Sequence, residues 1–356
     1  MKKLTIIDAD TLMTTPLPVS QFVVEGLLPQ GLHILAGAAK VGKSWLALWL
    51  CLQVAKGEPV WNLPSRKGTV LYLCLEDSLS RIQTRLFQIT EEAPSSLYFA
   101  TMAGSIGNGL EEQIEEFLQA HPDTVLVVID TLQKVRIANT KASAYANDYQ
   151  ELSSLKRLAD QACVAILAIH HIHKTQDKDP FNRISGTTGI SGVTDTNFVL
   201  LKKRRGGPEA TLYCVGRDIA YQELSLRFQK ETHLWELTEP MEETESTPMN
   251  EEVLKLFKFL KEQAPFDGTA TELAVRLEKR TGEQILPCVL SKKLARHTGD
   301  FSKLGVTLSS TRTRDSRALH IRCDSNDGSD GKKDGEPVEK LLSQPSHLSP
   351  EESPPL

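Results

Sequence analysis

The chain has 356 residues, 40% apolar and 24% charged, enough for about two domains and incompatible with a fibrous, collagen-like or wholly disordered polypeptide. Its net charge of −5 at pH 7, taken as one number, does not mark a nucleic-acid binder. No apolar run approaches the ~18 residues of a membrane span; six scattered cysteines with no Cys-x-x-Cys pair, and an acid as early as Asp8, predict a cytoplasmic chain with reduced thiols.

From Gly31 to about Val215, short β-rich apolar runs alternate with longer helical stretches, the pattern of an α/β fold with a mainly parallel sheet. The predicted strands are Leu32–Ala36, Val70–Leu75, Val125–Ile129, Val164–Ile169, Phe198–Leu201 and Ala210–Val215, near-continuous apolar runs that suit burial on both faces. The helices between them are Trp45–Ala55, Ser80–Ile89, Gly109–Ala120 and Tyr149–Ala162. Residues 238–249 are acidic and proline-bearing and read as a linker.

Residues 250–323 form a second, small unit. Val253, Leu254, Phe257 and Leu260 mark one helix, Thr269 with Glu272 is a capping box that opens another, and a third runs from Pro287 through Ala295. Two short apolar stretches, Val306–Leu308 and Ala318–Ile321, then flank a polar turn. Three helices and a hairpin are the order of a winged-helix-like α+β domain. Residues 324–356 are too poor in aliphatics to offset their chain entropy and read as a disordered tail.

One segment carries a specific chemistry. Gly37-Ala38-Ala39-Lys40-Val41-Gly42-Lys43-Ser44 fits the phosphate-binding pattern Gly-x4-Gly-Lys-Ser/Thr, directly after one predicted strand and directly before the helix opened by Trp45. Such a loop turns successive N–H groups toward phosphate, with Lys43 on the β/γ-phosphates and the Ser44 hydroxyl on Mg2+. Asp130, ending five apolar residues, supplies the acid that supports the metal. Glu76 ends another strand and is placed to polarise an attacking water, whereas Asp77 beside it reads as a helix N-cap. The strand ending His170-His171-Ile172-His173 lacks a zinc spacing. It offers instead a hydrogen-bond donor to the γ-phosphate, His170 by preference and His171 as the alternate.

These segments together resemble the RecA-like P-loop ATPases of the RepA-like hexameric replicative helicases of plasmids, phages and mobile elements, over roughly Val24 to Leu237. The carriers are Gly31–Gly37 running into the phosphate loop, Tyr72–Asp77, Ile129–Leu132 and Ala168–His171. The resemblance implies an ATP-hydrolysing domain spanning residues 1–237, with ATP and Mg2+ as cofactors. It further implies a hexameric ring acting on single-stranded or forked DNA, with a replication initiator or primase as partner. Lys203-Arg204-Arg205-Gly206-Gly207-Pro208 is similar to an element in which a lysine and an arginine reach across the subunit interface, so Lys203 and Arg205 become trans-acting residues. Arg217 competes for the arginine role. The long Gly-rich stretch between His173 and Asn197 corresponds to pore loops, with Lys174, Lys178 and Arg183 as DNA contacts.

The small unit departs from that resemblance, and its third helix and wing offer Lys292, Lys293, Arg296, Arg312, Arg314 and Arg317 to DNA. Charge supports this division: residues 1–237 carry −1, 238–249 −4, 250–323 +5 and 324–356 −5. Two rival functions use the same residues, a recombination or repair ATPase that remodels DNA without unwinding it and a nucleotide-switched DNA-binding regulator.

Overall fold

The computed structural model describes residues 6–17, 21–136, 144–173, 177–184, 188–204, 206–238, 251–312 and 317–323. The expected linker (Thr238 apart) and tail, with Lys174, Arg205, Arg314 and the side chain of Arg312, lie outside the described residues. The chain divides into two units, residues 20–243 and residues 244–356 joined by 1–19.

The first helix, α1 (Ala9–Thr14), is capped by Asp8, whose carboxylate accepts the Thr11 N–H at 2.8 Å. The sequence places the N-terminus in the ATPase domain, whereas by contacts α1 groups with the C-terminal unit. Asp10 pairs with Lys292 at 3.0 Å, and Arg317 donates to the Thr14 hydroxyl, so polar contacts rather than an apolar face tie α1 to the C-terminal unit.

The larger unit opens with a short antiparallel pair, β1 (Phe22–Val24) and β2 (Leu28–Pro29). It continues β3 (Gly31–Gly37), α2 (Lys43–Lys56), β4 (Thr69–Cys74), α3 (Leu79–Ile89), β5 (Leu97–Ala100), α4 (Leu110–Ala120), β6 (Thr124–Asp130) and α5 (Leu132–Val135). Then come α6 (Ala144–Ala162), β7 (Ala165–His171), α7 (Thr188–Val193), β8 (Thr196–Lys202), β9 (Glu209–Gly216), β10 (Gln222–Phe228) and β11 (Trp235–Leu237). Nine of these strands form one sheet in the order β11-β10-β9-β8-β3-β7-β6-β4-β5. From β8 to β5 every pairing is parallel, and β9 to β11 extend it antiparallel.

All six predicted strands and four predicted helices are present within one or two residues of their ends, except that α6 starts five residues earlier. The period-2 alternation of the strands divides the core. Leu35, Val70, Val128, Leu167 and Ile169 pack with α2 on one face, while Ile34, Leu73, Val127, Ile166 and Ala168 pack with Leu110 of α4 and Leu155 of α6 on the other.

At the edge of the sheet where β3 and β8 begin, Asp195 is buried. It accepts the Leu32 N–H at 2.9 Å, pairs with Lys156 at 3.1 Å and with Arg217 at 3.3 Å. Close by, fully buried His33 donates its Nε2–H to the Pro29 carbonyl at 2.8 Å. Burial, outweighing the attraction of Asp195, lowers its pKa from 6.5 to about 4. The unfolded chain therefore binds a proton that the fold refuses between those values. Stability present above pH 6.5 is expected to fall by about 3 kcal/mol as the pH drops to 4, and to lose nothing more from this group below that. Urea unfolding at pH 7 and pH 4.5 checks this: the loss should be smaller in His33→Gln than in the parent.

The second unit runs α8 (Glu251–Gln263), β12 (Phe266–Thr269), α9 (Ala270–Thr281), α10 (Pro287–Arg296), α11 (Thr298–Lys303), β13 (Val306–Arg312) and β14 (Arg317–Cys323), with an antiparallel sheet ordered β12-β14-β13. The capping box forms as read: the Thr269 hydroxyl accepts the Glu272 N–H at 3.2 Å and the Glu272 carboxylate accepts the Thr269 N–H at 2.9 Å. The buried face of α8 is Val253, Leu256, Phe259 and Leu260, packed against Phe266, Leu319 and Ile321, with Phe257 partly buried against the same core; of the expected residues only Leu254 is exposed.

Candidate nucleotide site

The phosphate loop leaves the C-terminal end of β3, the edge at which parallel sheets bind ligands. Gly37 pairs with Leu200 of β8, and a Cβ there would lie 2.9 Å from the Leu200 carbonyl oxygen. Gly42 sits at φ 109°, left-handed backbone that glycine adopts without strain, and its carbonyl accepts the Leu46 N–H at 3.1 Å to open α2. Ala38, Ala39 and Lys40 are exposed at the tip, while Val41 is buried.

Lys43 is nearly buried, and its Nζ donates to the carbonyls of Gly37 at 2.8 Å and Ala38 at 3.0 Å. Burial lowers its pKa from 10.5 to about 8, against the opposing pull of Asp130 and Glu76. The Ser44 hydroxyl and the Tyr72 hydroxyl both bond Asp130, the latter at 2.8 Å. Burial raises the Asp130 carboxyl above its usual range and the nearby Glu76 charge adds to this, while the two hydroxyl bonds and Lys43 oppose it. Ser44 and Asp130 are a hydroxyl and a carboxylate, hard oxygen donors of the kind magnesium takes. An anion-seeking loop with an ammonium at its centre completes a site that fits a magnesium nucleotide.

Glu76 lies exposed just beyond β4 and accepts a hydrogen bond from the Thr131 hydroxyl at 3.3 Å, next to Asp130. Asp77 is not the N-cap expected. Ser78 caps α3, accepting the Arg81 N–H at 3.4 Å, because Asp77 is engaged by Arg81 at 2.7 Å and Arg85 at 2.5 Å. Arg85 also lies 5.4 Å from the centre of the Trp45 ring, whose ring stacks with that of His233 at 4.7 Å. Tyr72 was missed in the sequence, although a hydroxyl inside an apolar strand requires a partner. Pairing of Cys74 with Asp130 and of Tyr72 with Val128 puts Tyr72 and Asp130 on one face, two residues apart.

On β7 the alternation separates the histidines. His170 is buried and shares the face of Ile166 and Ala168, against α6. His171, paired with Gly37 and half-buried, shares the face of Leu167 and Ile169, where α2 and Asp130 lie. The geometry thus places the alternate, His171, on the side of the phosphate loop.

Lys203 is exposed three residues beyond Leu200, at the same edge of the sheet as Gly37. Arg217 follows Gly216, which pairs with Thr196 at the start of β8, so it lies at the opposite edge and is bound to Asp195 of its own chain. The connection after β7 closes on itself through a 2.7 Å bond from the His173 N–H to the Arg183 carbonyl; Lys178 is exposed and Arg183 partly buried. In the other unit, Lys292 is paired with Asp10, Lys293 with Glu252, and Arg296 is exposed.

Sheet order, phosphate loop and acidic strand end together define a RecA-fold P-loop ATPase domain. Residues 3–177 match the family model described as an AAA domain. Among solved structures the chain resembles one described as an ATPase domain, with 17% identity, a TM-score of 0.50 and coverage of 59% of this chain and 85% of that one. It also resembles "The Structure Of A DnaB-Like Replicative Helicase And Its Interactions With Primase", at 17% identity and a TM-score of 0.48, covering 58% of each chain. A comparison with curated proteins gave no match.

Proposed function

We propose that the chain is an ATP-dependent, ring-forming DNA motor, a replicative helicase of a plasmid, phage or mobile element. The observation that carries this reading is the joining of Lys43, Ser44, Asp130 and Glu76 at one sheet edge, with Lys203 at the same edge leading into Arg205. Lys43 and the loop N–H groups hold the β- and γ-phosphates, and Ser44 and Asp130 hold Mg2+, which neutralises phosphate charge when bound. Glu76 accepts the proton of the attacking water, and His171, rather than His170, donates to the γ-phosphate. Arg205 and Lys203 complete the site of a neighbouring subunit, and Arg217, held by Asp195, takes a structural role.

We assign the small unit as a winged helix, on its order of helix, strand, three helices and hairpin with a central β14. Its surplus of +5 favours DNA through Lys292, Lys293, Arg296, Arg312 and Arg314, and Lys174, Lys178 and Arg183 serve the pore. A forked-duplex unwinding assay tests the proposal: the parent should separate strands with ATP and Lys43→Ala should not. Hydrolysis with no strand separation would favour the recombination or repair ATPase. Sequence-specific duplex binding by the full chain, lost on charge reversal of Lys292 and Arg296, would favour the regulator.

A further inference from the structure

The β10–β11 hairpin carries a residue that the ATPase reading does not use. Trp235 is buried, at 1% exposure, and its indole N–H donates to the carbonyl of Gly42 at 3.2 Å. The ring lies flush against that glycine, since a Cβ on Gly42 would sit 3.0 Å from two of its atoms. Phe228 meets the ring edge-on at 5.1 Å, Lys202 lies 5.8 Å from its centre, and the Trp61 indole N–H donates to the Trp235 carbonyl at 2.8 Å. A large aromatic residue is thus fixed on three sides, with its one polar hydrogen directed at the phosphate loop.

The Gly42 carbonyl belongs to the peptide that ends in the Lys43 N–H. In a trans peptide the two groups point in opposite directions. Holding the carbonyl toward Trp235 and the Leu46 N–H therefore turns the Lys43 N–H the other way, into the concavity that receives phosphate. Without the indole, the helix bond to Leu46 alone would set this plane, at a residue whose left-handed φ of 109° belongs to the most permissive amino acid.

We infer that Trp235 is a positioning residue for nucleotide binding, fixing the Gly42–Lys43 peptide so that its N–H meets a phosphate oxygen. The inference rests on the ATPase reading above. A main-chain N–H on a phosphate that stays in place through the reaction stabilises ground and transition states alike, so its misalignment raises KM and leaves kcat.

The test compares the full chain with Trp235→Phe and Trp61→Phe. The first removes the donor to Gly42, and the second removes a bond of the same cluster that does not touch the loop. Trp235→Phe should weaken Mg-ADP binding measured by calorimetry, and raise the KM for ATP, about five- to tenfold, the weight of one hydrogen bond, with kcat within twofold. Trp61→Phe should lower the unfolding midpoint without changing either constant. Should Trp235→Phe not fold, 3-benzothienylalanine at position 235 keeps the ring outline with sulfur in place of N–H and should give the same loss. Unchanged ADP binding in the folded variant, or an equal loss in Trp61→Phe, would overturn the positioning role while the parent still bound ADP. Failure of the parent to bind ADP would overturn the ATPase reading and this inference with it.

Discussion

Glu76→Gln is expected to slow ATP hydrolysis on the order of 10²–10⁴-fold, the span of general-base catalysis, while leaving ATP affinity within about threefold. Glu76 is exposed beyond β4, bonded by Thr131 and close enough to Asp130 and Lys43 for its charge to be felt at both. Glutamine keeps the length and can still accept from Thr131, but it cannot take a proton. The variant should accumulate bound ATP, seen as a stoichiometric ATP complex after rapid filtration. Loss of ATP binding along with turnover would place Glu76 in nucleotide binding instead.

Lys43→Ala should reduce kcat/KM for ATP on the order of 10²–10³-fold, the weight of a preorganised charge on a developing negative oxygen. Here the nucleotide itself should bind weakly, because Lys43 holds the only ammonium whose contacts lie on the loop among the described residues. Its pKa also sets a pH dependence. With a value of about 8 before nucleotide arrives, Lys43 must take up a proton above that pH to meet phosphate. Affinity for Mg-ADP should then fall by up to about tenfold per unit from pH 8 upward in the parent, and stay flatter in Lys43→Ala. A flat profile in the parent would mean that Lys43 is fully charged before binding.

The parallel sheet was legible because strands such as Val125-Leu126-Val127-Val128-Ile129 are apolar throughout, which only burial on both faces explains. The phosphate loop was legible because its spacing is set by backbone geometry around one anion. What stayed hidden depends on register and on distant segments. Tyr72 meets Asp130 only through the pairing of β4 with β6, and Trp235 meets Gly42 across 193 positions of sequence. Preference between His170 and His171 required knowing which face of β7 covers α2, and a bare alternation does not label its faces. β5, β10 and β11 escaped because they are short or polar on alternate positions, and α1 because its attachment to the other unit is polar. Asp77 misled because an acid before a helix suits an N-cap and an ion pair equally well, and Arg81 with Arg85 one and two turns on decided for the ion pair.

The central claim is that this chain couples ATP hydrolysis to single-stranded DNA. Its most direct test is the steady-state ATPase rate of the full protein with Mg2+, measured with and without single-stranded DNA. The account predicts measurable hydrolysis, raised several-fold by single-stranded DNA and slowed on the order of 10²–10⁴-fold in Glu76→Gln under both conditions. Hydrolysis indifferent to DNA, or none in the parent at all, would contradict it.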